Sequence, residues 1–505
     1  MKRLPCIVAM ASALAGCASD PVPPPPEAPA AARYTPEPVA DHTAPAPAVH
    51  GGEAQRFVAG QDIPAQWWTL FRSAALEDLV RQALEHSPSI ERAGARLRQV
   101  EAERQARAGA TRYPQVDAKL SANRVDIGSE SLGSPGLPLA TPLNLYLASV
   151  GVSYDLDLFG ATRHELEALQ AAVDYQRYEI EATRLMLAGN VVTAAIREAS
   201  LREQLETARE IVALQERQLA IVERLEAIGT AAREDVAAQR LELTQARVLV
   251  PELERQLGQV RHRLAVYTGQ PPAAAEGMPL FRLADLRLPE DLPLSLPSEL
   301  ARQRPDIRAA EALLDQAGAR VGVATANLYP RITLSATLGS LTTDAGDLFG
   351  AGTAFYLLGA SLAQPVFHGG ELQAQRRAAI AAWEQAGAAW REAVLQGLQE
   401  VADVLRALET DARRLQERAD AATQARRYHD IVSARYQAGG VSHYALLDAQ
   451  RKLQAALLDR TQAVADRYAD SAALLQALGG GWWHAERPSA DATPATDAAV
   501  ATPAR

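Results

Sequence analysis

Few residues in this chain have the company that catalysis needs. Nine histidines are scattered over 505 residues, and no pair stands at a metal-ligand spacing such as H-x3-H. The chain contains no phosphate-cradling G-x4-G-K-[S/T] loop and no G-x-S-x-G nucleophile turn. With only two cysteines, neither a disulfide framework nor a cysteine zinc site is available. An enzyme, a metal site and a bound cofactor are therefore not expected. Two polar groups remain. Arg233, Glu234 and Asp235 follow Gly229, whereas His443, Tyr444 and Asp448 follow the pair Gly439 and Gly440. Side chains of these types form ion pairs, helix caps and steric contacts, and acids at a helix start are favoured by its dipole. The elements that place them are long helices. Alanine, leucine, glutamine, arginine and glutamate dominate long stretches, the composition of extended helices and coiled coils. A formal charge of −10 argues against nucleic acid as a partner.

The amino terminus reads as an address. Lys2 and Arg3 precede a short apolar run over residues 7–15, too short to span a bilayer. Leu14-Ala15-Gly16-Cys17 resembles a bacterial lipobox. The resemblance implies a signal peptide of residues 1–16 and acylation of Cys17 by diacylglycerol and an N-acyl chain. Ala18 after the cysteine implies sorting to the outer membrane. Residues 20–50 hold ten prolines, so the span 17–60 is expected to be an extended tether that does not pack. A tail of residues 481–505 is expected to be disordered.

Between these ends the chain is written twice. Pro88-Ser89-Ile90 returns 217 residues later as Pro305-Asp306-Ile307, and Tyr113-Pro114 returns after 216 as Tyr329-Pro330. Ala238-Gln239 recurs as Ala449-Gln450, at an offset of 211. The repeats are set at 61–285 and 286–480. Each reads helix, strand, turn, strand, very long helix, turn, long helix. Strict alternation marks the strands. Val116, Ala118, Leu120 and Ala122 share one face, as do Val150, Val152, Tyr154 and Leu156. Ile332, Leu334, Ala336 and Leu338, then Tyr356, Leu358, Ala360 and Leu362, repeat the pattern. Strands of about ten residues with one apolar face suit a transmembrane β-barrel. Tyr146, Tyr154, Phe355 and Tyr356 are candidates for its interfacial girdles, and residues 128–142 and 339–352 for surface turns. Two other readings fit the same residues: amphipathic strands of a soluble protein, or apolar helical spans over 131–154 and 348–370.

The helices are longer than any bilayer requires. Leu166, Val173, Ile180, Leu187, Ala194 and Leu201 recur every seven residues, a sustained heptad. Val394, Val401, Leu408 and Leu415 repeat it in the second half. Pro251 is expected to kink the helix after the first turn. Gly229, Gly439 and Gly440 are expected to supply the positive φ of a helix C-cap. Four strands per chain cannot close a barrel alone, because open strand edges are not tolerated in lipid. Two copies would bring eight strands and three would bring twelve, and the arithmetic does not choose.

Taken with Trp67-Trp68, Tyr154-Asp155-Leu156-Asp157-Leu158-Phe159-Gly160 and Leu447-Asp448-Ala449-Gln450, the chain resembles the outer-membrane efflux proteins of the TolC/OprM/NodT-like type. The resemblance covers nearly all of residues 60–480. It implies a mainly α protein with a transmembrane β part: a homotrimer whose 12-stranded β-barrel continues into a periplasmic α-helical barrel. It implies a passive gated duct for small molecules, lipid-anchored in and spanning the outer membrane. The implied partners are a periplasmic membrane-fusion adaptor and a proton-driven inner-membrane transporter of the resistance-nodulation-division type. It also implies a gate at the helix turns, where Asp448 matches a family aspartate and Val441, Ser442, His443 and Tyr444 depart from the family's charged pattern. Two further readings stand beside it, a duct for protein secretion of the type I kind and a periplasmic coiled-coil scaffold without a pore. The sequence does not name the cargo.

Overall fold

A computed structural model describes residues 27, 29, 31–47, 49–126 and 142–484. The signal segment 1–16, Cys17, residues 128–141 of the first strand connector and the tail from 485 lie outside the described residues. The chain divides into two compact units, Arg92–Glu179 with Asp306–Val394, and Ala30–Glu91 with Ile180–Pro305 and Leu395–Arg505, Met1–Pro29 being grouped with the first.

The first unit is built on strands β2 (Gln115–Val125), β3 (Leu143–Leu156), β5 (Arg331–Thr342) and β6 (Ala354–Ala363). They form one antiparallel sheet in the order β2-β3-β5-β6, so the two halves of the chain meet at the β3–β5 pair. The register puts Val116, Val152, Ala336 and Leu358 in one row. Ala118, Val150, Leu338 and Tyr356 form the next row, and Tyr154, Leu334 and Ala360 another on the same face. The opposite face carries Lys119, Ser149, Gly339 and Phe355, then Asp117, Gly151, Thr337 and Leu357, then Gln115, Ser153, Ser335 and Gly359. A period of two therefore sorts these rows into an apolar side and a more polar side, the latter also carrying Leu147, Leu341, Phe355 and Leu357. Within the spans 131–154 and 348–370, residues 143–154 and 354–363 are strands, and among the described residues no helix is long and apolar enough to cross a membrane. Two expectations need correction. Gly339 pairs with Ser149 inside β5 and is not a turn residue. Phe355 neighbours Tyr356 along one strand, so it points to the polar face and cannot share a lipid-facing girdle with Tyr356.

Helix α2 (Pro88–Arg112), whose residues from Arg92 on belong to this unit, buries none of its residues. α3 (Ala161–Ala227) up to Glu179, α6 (Pro305–Ala326) from Asp306 and α7 (Glu371–Gln437) up to Val394 complete the unit. Gly322 of α6 lies against the His164 ring of α3, where a Cβ would come within 2.6 Å of Cγ. The 67 residues of α3 give about 100 Å of axial rise. Its heptad residues Leu166, Val173, Ile180, Leu187, Ala194 and Leu201 are all buried.

The second unit holds the main hydrophobic core. Trp67 and Phe71 of a 3-10 turn meet Leu76, Leu79 and Val80 of α1 (Ala74–His86). Val191 and Ile196 of α3, Val401 and Leu408 of α7, and Tyr468, Leu474 and Leu475 of α8 (His443–Ala477) join the same cluster. α4 (Arg233–Tyr267) is one continuous helix through Pro251. Part of the expected tether, among its described residues from Tyr34 on, packs instead. Strand β1 (Arg56–Ala59) pairs in parallel with β4 (Asp291–Leu294), and Tyr34, Val39, Ala46 and Val49 pack on the core. The cause is Arg467, a fully buried guanidinium that donates to Thr43 Oγ1 (3.1 Å), Gly51 O (3.1 Å), Glu53 O (2.9 Å) and Gln55 Oε1 (3.1 Å). A buried cation needs this many acceptors, and a proline-rich segment offers free carbonyls because it forms no helix. Residues 481–484 of the expected tail are likewise ordered, with Trp482 Nε1 donating to Gln303 O at 2.6 Å.

Candidate functional site

Both sets of candidate residues sit in the second unit, at the turns α3–α4 and α7–α8. The turns share a backbone. Gly229 (φ 80°) and Gly439 (φ 73°) each end a helix in the left-handed region, where a side chain would clash. Their N–H groups donate to Glu226 O (2.9 Å) and Tyr436 O (3.0 Å). The next N–H groups, of Thr230 and Gly440, donate back to Leu225 O and Arg435 O, each at 2.8 Å. Gly440 is thus corrected: it lies outside the left-handed region, and one glycine per turn suffices.

The side chains differ. At the first turn, Asp235 Oδ2 reaches back to accept the N–H of Ala232 at 3.2 Å, while Ala232 itself has no side-chain oxygen for the first N–H groups of α4. Glu234 adds a second acid to the first turn of α4, where the helix dipole favours it. Arg233, with a 95% exposed side chain, lies 3.7 Å from Glu226. At the second turn, Ser442 Oγ caps α8 by accepting the N–H of Ala445 at 3.4 Å. His443 is buried and its ring lies tilted against Tyr436, with centroids 5.4 Å apart and planes 49° apart. Burial holds its pKa below the ordinary histidine value, and Asp235 partly opposes that. Tyr444 is exposed, its ring 6.0 Å from the Arg451 guanidinium. Asp448 pairs with Lys452 one helical turn on, at 2.7 Å. The turns are brought together: Asp235 of α4 lies close enough to Tyr436 and His443 to act on both by charge.

Below the turns lies a polar layer not anticipated as a site. Gln239 Nε2 donates to Gln215 Oε1, and Gln215 Nε2 to Gln450 Oε1 at 3.3 Å, all three being buried. The repeated Ala-Gln pair was its sequence signal. Tyr436 and the carboxyl pair Asp411 and Asp470 were also missed. Burial and the neighbouring Asp411 push Asp470 up to about 7. No spacing rule reveals such groups, because packing creates them.

The chain matches the outer membrane efflux protein family over residues 79–270 and 296–480, and it belongs to that family. It is 34% identical over 423 residues to the pyoverdine export outer membrane protein OpmQ of Pseudomonas aeruginosa, covering 83% of this chain and 87% of that one. The outer-membrane channel OprN superposes with a TM-score of 0.78 at 28% identity, covering 89% of this chain and 99% of that one. The outer membrane protein VceC of Vibrio cholerae gives a TM-score of 0.75 at 26% identity, with 83% and 100% coverage. These relatives are outer-membrane proteins of efflux and export, not enzymes. The resemblance read from the residues is thus the family to which the chain belongs.

Proposed function

We propose that this protein is the outer-membrane duct of a tripartite efflux pump, a passive gated conduit for small molecules. One observation carries the reading: among the described residues, a four-stranded sheet with edge strands β2 and β6 and one face whose central rows are apolar. Leu338, Tyr356 and Leu358 of that face are 65%, 77% and 73% exposed in the single chain, more than water tolerates on a soluble surface. Three copies supply twelve strands, which close the edges, set the apolar face against lipid and leave the Ser/Thr/Gly face on a wet lumen. The unburied α2 then packs on neighbouring copies in a helical cylinder. Cys17 carries the lipid anchor. The partners are a periplasmic adaptor and an inner-membrane transporter of the resistance-nodulation-division type. An exported siderophore, as named for OpmQ, and toxic solutes are the cargo classes to test first.

The turns α3–α4 and α7–α8 are the periplasmic gate. Arg233 and Asp448 are paired with Glu226 and Lys452 of their own chain, which favours a gate closed by packing over one latched by charge between copies. The test is planar-bilayer recording on the detergent-extracted, lipid-bearing protein, alongside heat-modifiable mobility. Heat-sensitive trimers and discrete current steps are expected. A monomer that carries no current overturns the reading.

A further inference from the structure

His443 is 5% exposed, and neither Nδ1 nor Nε2 has a hydrogen-bond partner. A polar ring in that state is held by packing against its own preference for water. It lies on Tyr436 of α7, beside the apolar cluster of Val432, Leu446 and Ala449. It is also the first residue of α8, where unpaired backbone N–H groups give the helix end a partial positive charge. A neutral imidazole can occupy such a place. An imidazolium would lose its hydration and face the positive end of its own helix. The groups facing it are Tyr436 from α7 and Asp235 from α4, and of these Asp235 favours the cation by charge. The nearest ionisable side chains on α8, Tyr444 and Asp448, are engaged with Arg451 and Lys452. The equivalent place at the first turn is taken by exposed Arg233, which is indifferent to acid.

We propose that His443 makes the second turn an acid-responsive seat: at neutral pH the ring holds the start of α8 against the end of α7, and protonation expels it and loosens that turn. The consequence for conductance rests on the reading of these turns as the gate. The linkage has a definite sign. The seated ring binds a proton less readily than the released one, so acid favours release.

The experiment is hydrogen–deuterium exchange over residues 428–450 of the full-length assembled protein, at about pH 7.5 and about pH 5, with bilayer recording on the same samples. A released imidazole with an ordinary pKa of about 6.5 sets the ceiling, so opening at residues 439–447 should rise about 10- to 30-fold after correction for intrinsic exchange. His443→Phe and His443→Leu should abolish the rise. No rise in the unaltered protein, or an equal rise in both variants, overturns the proposal. If neither variant assembles, nuclear magnetic resonance titration of the His443 ring in the unaltered protein decides. A midpoint well below the ordinary value supports the seat, and one at or above it overturns the seat. Acid-dependent exchange with flat conductance supports the seat while overturning the gate. Conductance that rises with exchange supports both.

Discussion

The two helix turns of the second unit follow the same backbone course and carry opposite chemistry. Each is closed by a left-handed glycine and the same back-bonds to the preceding helix. The first turn is charged and wet, with Arg233 exposed and Asp235 acting as a cap through its carboxylate. The second turn is capped by Ser442 and closed over a buried His443. Duplication thus preserved what the backbone requires and released what the side chains do. A turn needs its glycine for steric reasons wherever it occurs, whereas a cap can be supplied from the N-cap or from three residues on.

The contrast is broken most sharply by placing a fixed charge at both helix starts. His443→Lys should destabilise the second turn by about 3 kcal/mol, because it buries an unpaired cation. Arg233→Lys should stay within about 0.5 kcal/mol, as an exposed substitution. Local exchange at each turn measures both, and a silent His443→Lys would mean that the ring is not seated as described. The shared backbone comes next. Gly229→Ala and Gly439→Ala should each cost about 1–2 kcal/mol from the left-handed φ. Gly440→Ala should cost less than about 0.5 kcal/mol, and thermal dissociation of the assembled protein would rank the three.

The caps distinguish the turns more finely. Asp235→Ala and Ser442→Ala should each cost about 1 kcal/mol as lost caps. Their pH profiles should differ. Stability that depends on a neutral His443 is complete above the ordinary histidine pKa and falls away as pH drops below it. Asp235 opposes that fall, so Asp235→Ala should deepen the acid loss while Ser442→Ala leaves its depth unchanged. Melting curves between about pH 7.5 and about pH 5 read the difference. The smallest effect is expected from Arg233→Ala and Asp448→Ala. Both remove ion pairs made within the chain, so neither should change stability by more than about 0.5 kcal/mol or raise single-channel conductance.

Much of the fold was legible before any coordinates. Period-two alternation over 115–122 and 332–338 located strands that the structure extends by a few residues, and a heptad from Leu166 to Leu201 located a buried stripe. Both are local repeats imposed by helix and strand geometry, so they survive in one dimension. The packed arm over residues 34–57 was not legible. Its prolines and small residues suggest an unpacked linker, and what orders it is Arg467, more than 400 positions away. Phe355 was misplaced for a simpler reason: two adjacent aromatics in a strand face opposite ways, and alternation had already placed Tyr356 with Leu358 and Ala360, which the register bears out.

The amino-acid order alone determined the duplication, the kinds of element in each half, the glycines at the turns and the alternation that divides the sheet into two faces, because each depends on near neighbours along the chain. The tertiary structure decided which strand lies beside which, where the arm is tied down, and that His443 rather than Arg233 is enclosed. Those outcomes depend on groups far apart in sequence being brought into contact, since the burial of a ring or the pairing of a guanidinium is a property of its surroundings and not of its position in the chain.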